Sequence, residues 1–192
     1  SEAFDAPLVA SRVSRLVYDV NRPLEAASAI PEKSEIFDVP GNQGLSAADR
    51  QARFEACHVP FHAAIETVLE GRRAPVAFVT VHSFTPVYNG EPRAVEIGYL
   101  HDAGDAFARA ALAEDEARGR YRAALNEPYA ASDGVTHTLR LHGEARGLPS
   151  LMIEVRNDLI DTADKAREMG AHLAEVLRGA LAKLGHGAEA TG

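Results

Sequence analysis

The chain has 192 residues, of which 46% are hydrophobic, and its formal net charge is −8. This length predicts one domain with a sizeable core, and the acidic balance argues against a nucleic-acid partner because no basic stripe is available to meet phosphates. Cys57 is the only cysteine, which excludes an intrachain disulfide and suits a cytoplasmic compartment, and no apolar run is long enough to span a membrane.

The first third of the sequence predicts short strands, a long loop and a helix. Residues 7–10 and 13–18 have the apolar character of strands. Residues 22–45 contain several prolines and glycines, which favours an ordered loop over a helix, and loops of this length are often functional. Ser46 has the features of a helix N-cap, with an acidic residue three positions later. Apolar residues follow at helical spacing, and Pro60 is expected to kink this helix.

The rest of the sequence alternates apolar strand patterns with helical ones. The predicted strands cover residues 76–81, 95–100, 136–141 and 151–155, and the predicted helices cover residues 106–117 and about 162–184. This alternation is typical of an α/β fold with a mixed central sheet and helices on both faces. We therefore predict a single domain over residues 1–185, followed by a flexible tail over residues 186–192.

Polar side chains stand at the ends of three apolar runs. Asn21 and Arg22 follow the first run, and His82 ends the second. Glu154 and Arg156 lie two residues apart in the third, so a strand there directs both side chains to the same face. A glutamate among apolar residues is costly to bury unless a metal or an ion pair compensates its charge. Function is expected at these strand ends.

Further short motifs accompany these residues in a fixed order along the chain. They are Ile30-Pro31-Glu32, Pro40-Gly41-Asn42, Asn126-Glu127-Pro128-Tyr129, His142-Gly143-Glu144 and Gly147-Leu148-Pro149. Together with Asn21-Arg22, His82-Ser83 and Glu154-Val155-Arg156, they resemble the N-formylglutamate amidohydrolase family and, more distantly, the zinc carboxypeptidases. The resemblance extends over nearly the whole chain up to Ile160. It implies a fold like that of the zinc carboxypeptidases.

The family resemblance implies a zinc-dependent hydrolysis of N-formyl-L-glutamate to formate and L-glutamate, a reaction of histidine catabolism. His82 resembles a zinc ligand of the family, although a histidine hydrogen-bonded at a strand end would give the same pattern. Glu154 stands at the position of the family's catalytic glutamate, a general base that activates water. Alternatively, Glu154 forms a structural ion pair with an arginine.

The resemblance also implies substrate-binding residues. It assigns Asn21 and Arg22 to the α-carboxylate of the substrate, since a guanidinium binds carboxylates through a planar fork. Alternatively, the two residues form a simple turn after a strand. Tyr129 resembles a loop tyrosine that closes over the substrate, and it could instead be a core or surface residue. Arg156 either binds substrate or holds Glu154 in place, and the sequence leaves both roles open.

Family members usually carry an N-terminal segment with a Cys- or Asp-x-His-Ala-type motif that supplies further zinc ligands. This sequence begins at Ser1 without such a motif. The resemblance therefore implies either two further ligands upstream of Ser1 or a protein that has lost half of the family's metal site. On this basis the 192-residue chain is expected to be inactive, and a version extended upstream is expected to be active.

The sequence gives weaker support for a functional role of the other polar residues. His58 and His62 are spaced like a helical metal pair, but the segment between them lacks the glutamate of a zincin helix, so we expect helix surface or packing roles. Arg140, His142 and Arg146 are expected on the solvated surface, although one of them could meet a substrate carboxylate. Two other functions stay open: a zinc hydrolase of another N-acyl amino acid or peptide, and a metal-free protein that binds acidic amino acids.

Overall fold

The computed structural model describes residues 1–72 and 77–185. Contacts divide the described chain into two compact units. The sheet unit comprises residues 1–6 and 77–185, and the loop–helix unit comprises residues 7–72. The predicted tail lies outside the described residues, and the assignment of residues 1–185 to one domain stays a prediction.

The loop–helix unit contains little sheet. Two antiparallel strands of two residues each, β1 (Lys33–Ser34) and β2 (Phe37–Asp38), form a small hairpin. Helix α1 (Ala47–Arg53), a π-helical turn (Phe54–His58) and helix α2 (Val59–Glu70) follow without a break. Short 3₁₀ helices lie in both units, at Glu2–Phe4, Ala27–Ala29, Pro40–Asn42, Ala131–Asp133, Glu144–Arg146 and Asn157–Leu159.

The predicted strands at residues 7–10 and 13–18 are wrong, because these residues form turns and irregular backbone. The amide groups of Val17 and Tyr18 both donate to the Ser14 carbonyl oxygen, which closes a turn. Leu8 remains 74% exposed, so the apolar residues that suggested a strand do not form one buried face.

The helical part of the unit follows the sequence prediction. The Ser46 hydroxyl accepts a hydrogen bond from the Asp49 amide at 3.1 Å, and the Asp49 carboxylate accepts one from the Ser46 amide at 3.1 Å. This is the predicted capping box. Pro60 has no N–H to donate, and the turn before it is π-helical, with the Val59 amide bonded to the Phe54 carbonyl oxygen.

The ordered loop before α1 is anchored by one buried side chain. The Asn42 amide nitrogen donates to the carbonyl oxygens of Leu16 at 2.8 Å and Pro31 at 2.7 Å, and its oxygen accepts from Arg53 at 2.6 Å. Every polar atom of this amide is therefore used inside the unit. This anchoring explains how a loop rich in proline and glycine becomes fixed.

The sheet unit is built on a mixed four-stranded sheet. Its strands are β3 (Phe78–Phe84), β6 (Ile97–Leu100), β7 (Ala123–Leu125) and β8 (Ser150–Arg156), in the order β3-β8-β6-β7. The pairs β3–β8 and β6–β7 are parallel, and the pair β6–β8 is antiparallel. Between β3 and β6, strands β4 (Val87–Tyr88) and β5 (Glu91–Pro92) form a separate short hairpin.

Helical segments pack on both faces of this sheet. Helices α3 (Ala106–Arg118) and α4 (Ala163–Lys183) pack on the face that carries Ile97, Tyr99, Leu151, Ile153 and Val155. A second apolar cluster covers the opposite face and consists of Leu100, Met152, Val135 and Leu139, with Phe78 and Tyr129 packed against it. The structure confirms the predicted α/β fold with a mixed central sheet and helices on both faces. Among the described helices, none has the length and apolar character needed to cross a bilayer.

The predicted strand at residues 136–141 is wrong. Residues 137–138 are helical and continue into a π-helical turn, Leu139–Gly143. Val135 and Leu139 are four residues apart and are both buried in the same cluster, so helical spacing prevails over the short alternation. A side chain at Gly143 would lie 2.1 Å from the Ser150 hydroxyl, which shows how closely this turn packs on β8.

Candidate active site

His82 and Glu154 are neighbours on the sheet. They are Cα partners on the parallel strands β3 and β8, so both side chains project from the same face. Glu154 is 4% exposed and His82 is half-buried. Val81 points to the opposite face of β3 and is 64% exposed. The structure thus brings together the two residues that the sequence assigned to metal binding and general base chemistry.

A loop passes directly over Gly98, which lies on β6 beside Glu154. Gly98 is the Cα partner of Glu154, and a β-carbon at Gly98 would lie 1.9 Å from the Glu127 carbonyl oxygen. The loop is fixed by Asn126, whose side chain accepts from the His101 amide at 3.0 Å. The absence of a side chain at Gly98 therefore lets residues 126–129 lie close to the strand that holds Glu154.

Tyr129, the predicted substrate-binding tyrosine, lies at the end of that loop. Its ring packs against the apolar cluster beside Met152, and its hydroxyl oxygen accepts a hydrogen bond from Arg93 at 3.1 Å. Its closure over a substrate stays a prediction. The loop nevertheless places its phenol on the same sheet face as Glu154.

Arg93 is a residue that the sequence interpretation missed. Its guanidinium carbon lies 4.4 Å from the ring centroid of Tyr88, 4.9 Å from that of Tyr129 and 5.5 Å from that of Phe84. Phe84 ends β3 on the His82 face, two residues beyond His82. The sequence carries no signal for this arrangement, because the three rings come from a strand, a hairpin and a loop.

Arg156 forms hydrogen bonds with two carboxylates. Its guanidinium donates to both oxygens of Asp158, at 2.8 and 3.2 Å, and to Glu96 at 3.2 Å. These contacts hold the pKa of Asp158 below its ordinary value, chiefly through the hydrogen bond from Arg156. Arg156 also donates to the Arg93 carbonyl oxygen at 3.3 Å. The contacts favour a structural role, and substrate binding by Arg156 stays a prediction.

Asn21 and Arg22 belong to the loop–helix unit. Asn21 is buried, and the Arg22 guanidinium donates to the Ser28 hydroxyl at 3.2 Å and to the Asn21 carbonyl oxygen at 2.8 Å. The Tyr18 hydroxyl donates to the Arg22 carbonyl oxygen at 3.3 Å. Within the described residues, no carboxylate forms an ion pair with Arg22. The pair is held by its backbone, as a substrate-binding group requires, and its role stays a prediction.

His58 and His62 are buried and packed against each other, with ring centroids 4.0 Å apart. His58 also stacks on Phe54 at 4.5 Å. These contacts agree with the expected packing role.

The same two histidines fit a metal by their chemistry. Each offers a ring nitrogen, and the two atoms lie within 4.8 Å of one another. His62 Nε2 lies 2.8 Å from the Val20 carbonyl oxygen, a contact that orients the ring and, with the proton on Nε2, puts the lone pair on Nδ1. Burial lowers the pKa of His62, which favours the neutral form that binds zinc. The residues therefore suit zinc, which prefers such nitrogen ligands.

The surface assignment of His142 is wrong. Its side chain is fully buried in the turn that packs on β8, with its ring centroid 6.1 Å from that of Phe78. The cause is the close approach of Gly143 to the sheet, which draws the preceding residue inward. Arg140 is 58% exposed and lies 3.5 Å from the Asp102 carboxylate, and Arg146 is exposed, so these two follow the expectation.

A buried polar group on the other face of the sheet was also missed. The Asp115 carboxylate accepts a hydrogen bond from the Tyr99 hydroxyl at 2.6 Å and lies 2.9 Å from His172 Nε2. All three side chains are buried between β6, α3 and α4. The network joins three elements of the core and lies on the opposite sheet face from Glu154.

The comparisons with known proteins bear on the family and the fold. The family model described as N-formylglutamate amidohydrolase matches residues 1–161. The fold is of the α/β class with a mixed sheet. The chain belongs to the N-formylglutamate amidohydrolase family. The resemblance seen in the sequence is confirmed. No curated protein matches the chain.

Two solved structures show the same fold. The crystal structure of a gene product from Agrobacterium tumefaciens is 47% identical, with a TM-score of 0.85, over 91% of this chain and 70% of that chain. The crystal structure of N-formylglutamate amidohydrolase from Ralstonia eutropha JMP134 is 22% identical, with a TM-score of 0.51, over 71% of this chain and 54% of that chain. The second likeness supports the fold alone.

Proposed function

We propose that the protein is a zinc-dependent amidohydrolase that converts N-formyl-L-glutamate and water to formate and L-glutamate. Membership of the family supports a hydrolase with a small-molecule substrate. The observation that carries the proposal is the pairing of His82 with Glu154 on neighbouring strands, with Glu154 almost fully buried. A cytoplasmic location and a place in histidine catabolism belong to the same proposal.

Glu154 acts as the general base in this proposal. Its carboxylate takes a proton from the attacking water, whose oxygen forms a bond to the formyl carbon. The same carboxylate then gives the proton to the nitrogen as the C–N bond breaks, so that formate and glutamate leave. The rigid position of Glu154 between two strands supports this role, because a base must lie within hydrogen-bond reach of the water.

Asn21 and Arg22 bind the α-carboxylate of the substrate. The fixed backbone of this pair supports the role, and a planar guanidinium suits a carboxylate. Binding at a distance from the reacting bond restricts the orientation of the formyl group. Tyr129 contributes its phenol from the loop over Gly98.

Zinc, when bound, polarises the amide carbonyl and lowers the pKa of the attacking water. We propose His82 as a ligand, and the pair His58 and His62 is the second candidate. All three offer the imidazole nitrogen that zinc prefers.

The test is formate release from N-formyl-L-glutamate by the complete gene product, loaded with zinc, with N-acetyl-L-glutamate and a glutamyl dipeptide as alternative substrates. We expect rapid release that a chelator abolishes and zinc restores. Faster hydrolysis of the acetyl compound or the dipeptide would assign the protein to another N-acyl substrate. Binding of L-glutamate without any hydrolysis would favour a metal-free binding protein instead.

A further inference from the structure

We propose that Arg93 binds the side-chain carboxylate of the substrate and so makes the enzyme selective for an acidic amino acid. This inference rests on the proposed function, in which Arg22 takes the α-carboxylate. N-formylglutamate carries a second carboxylate, for which the sequence alone offered only Arg140, His142 and Arg146 as candidates. Arg93 offers the required charge in the sheet unit, beside the strand that holds His82.

Arg93 lies at a suitable distance from Glu154 along the sheet. Phe84, beneath its guanidinium, is the Cα partner of Arg156, two residues beyond the pairing of His82 with Glu154. Two residues along a strand correspond to about 7 Å. This length is comparable to the extent of a glutamyl side chain, so a substrate whose formyl group lies at Glu154 can direct its other end toward Arg93.

Arg93 is also fixed in place by its contacts. Its backbone amide donates to the Pro86 carbonyl oxygen at 2.8 Å, and its own carbonyl oxygen accepts from Arg156. One guanidinium nitrogen, Nη1, donates to the Tyr129 hydroxyl at 3.1 Å. A guanidinium fixed in this way loses little conformational entropy when it binds an anion.

The charge environment of Arg93 also favours an anion. The part of the chain that the structure describes contains no carboxylate in an ion pair with Arg93, although acidic residues outnumber basic ones by 28 to 20 in the sequence. By contrast, the charge of Arg156, which donates to the Arg93 carbonyl oxygen, is neutralised by Asp158 and Glu96. The aromatic walls of Tyr88, Tyr129 and Phe84 partly shield the Arg93 charge from water, which strengthens its attraction for an anion.

The experiment compares N-formyl-L-glutamate with N-formyl-L-glutamine, which has the same shape and keeps the α-carboxylate. The complete gene product, as wild type, should prefer the glutamate compound in kcat/KM. Arg93→Met should lower this preference by about 10-fold or more, the factor expected for one hydrogen bond to a charged group. Hydrolysis of N-formyl-L-glutamine should change little.

The matched control is Arg178→Met, because Arg178 also lies over an aromatic ring, 5.2 Å from the centroid of Phe4. It should leave the preference unchanged. Tyr129→Phe keeps the ring and removes the hydroxyl that holds Arg93, so it should lower the preference by a smaller factor. This variant also tests the inference if Arg93→Met fails to fold.

An equal loss on both substrates, or an unchanged preference in Arg93→Met, would overturn the inference while leaving the proposed function intact. If the wild-type protein hydrolyses neither compound, the proposed function fails separately. Calorimetric titration with L-glutamate and L-glutamine then decides the role of Arg93. Loss of a wild-type preference for glutamate in Arg93→Met supports the inference, and any other result contradicts it.

Discussion

His82 and Glu154 are Cα partners on the parallel strands β3 and β8, and their side chains leave the sheet on the same face. Neighbouring strands lie about 4.8 Å apart, so backbone pairing alone places an imidazole and a carboxylate side by side. Strand pairing gives such a site more precise geometry than loops would.

The first prediction concerns zinc. His82→Ala should lower the zinc content of the protein from about one ion per chain, because a catalytic zinc usually has three protein ligands and tolerates the loss of one poorly. Elemental analysis measures the zinc content of both His82→Ala and His62→Ala. Loss of zinc only in His62→Ala would assign the metal to the pair His58 and His62 and remove His82 from the site.

The second prediction concerns Gly98, the neighbour of Glu154 on β6. Gly98→Ala would bring a β-carbon to 1.9 Å from the Glu127 carbonyl oxygen, so residues 126–129 must move. We expect kcat/KM to fall by about 10²-fold, as for other displacements near 1 Å, and stability to fall by about 1–3 kcal/mol. Steady-state kinetics and thermal unfolding measure the two effects.

The control for Gly98 is Gly170→Ala on the exposed side of α4. A β-carbon at Gly170 would meet no atom within 4 Å apart from its chain neighbours and the nearby backbone of its own helix. This change should leave kcat/KM unchanged and raise stability by about 0.5–1 kcal/mol, since alanine is the better helix former. Equal effects of the two substitutions on kcat/KM would show that the loop over Gly98 does not position the site.

The third prediction concerns the buried Asp115. Asp115→Ala removes the hydrogen-bond partner of the Tyr99 hydroxyl and of the His172 ring. A buried polar group without its partner costs about 1–3 kcal/mol, so we expect a loss of about 3 kcal/mol or more in denaturant unfolding. Glu116→Ala, at the exposed neighbouring position, should change stability by less than about 0.5 kcal/mol. Similar losses in both variants would exclude the network as a source of stability.

The fourth prediction concerns alkaline pH. Burial, reinforced by the charge of Glu25, raises the pKa of Tyr18 to about 12. In the unfolded chain this phenol ionises near its ordinary value of about 10, so its contribution to stability is complete below that pH and is lost as the pH rises through about 12. Ultraviolet titration of wild type and Tyr18→Phe measures the difference. Ionisation of Tyr18 near the ordinary value would show that its ring is not buried.

Much of the fold follows from local patterns in the sequence. The cap at Ser46 and the strand that carries Glu154 appear where capping rules and apolar runs predict them. The final helix begins after Thr162 as expected, with Met169 and Val176 on its buried side. Each of these signals lies within one segment, so no knowledge of distant contacts is required.

The errors occur where distant contacts decide the structure. Residues 136–141 fit both alternation and helical spacing, and the close packing of Gly143 on Ser150 decides between them. Arg93 meets Tyr129, which lies 36 residues further along the chain. No local pattern in the sequence contains this pairing, so the aromatic surroundings of Arg93 become visible only in the folded chain.

The most direct test of the proposed function is the turnover of Glu154→Gln, which keeps the shape of the side chain and removes its basicity. We measure formate release from N-formyl-L-glutamate by the complete gene product, loaded with zinc, as wild type and as this variant. The account predicts that kcat falls by about 10²-fold or more while zinc content and thermal stability stay at wild-type values. Turnover near the wild-type rate in Glu154→Gln would contradict it.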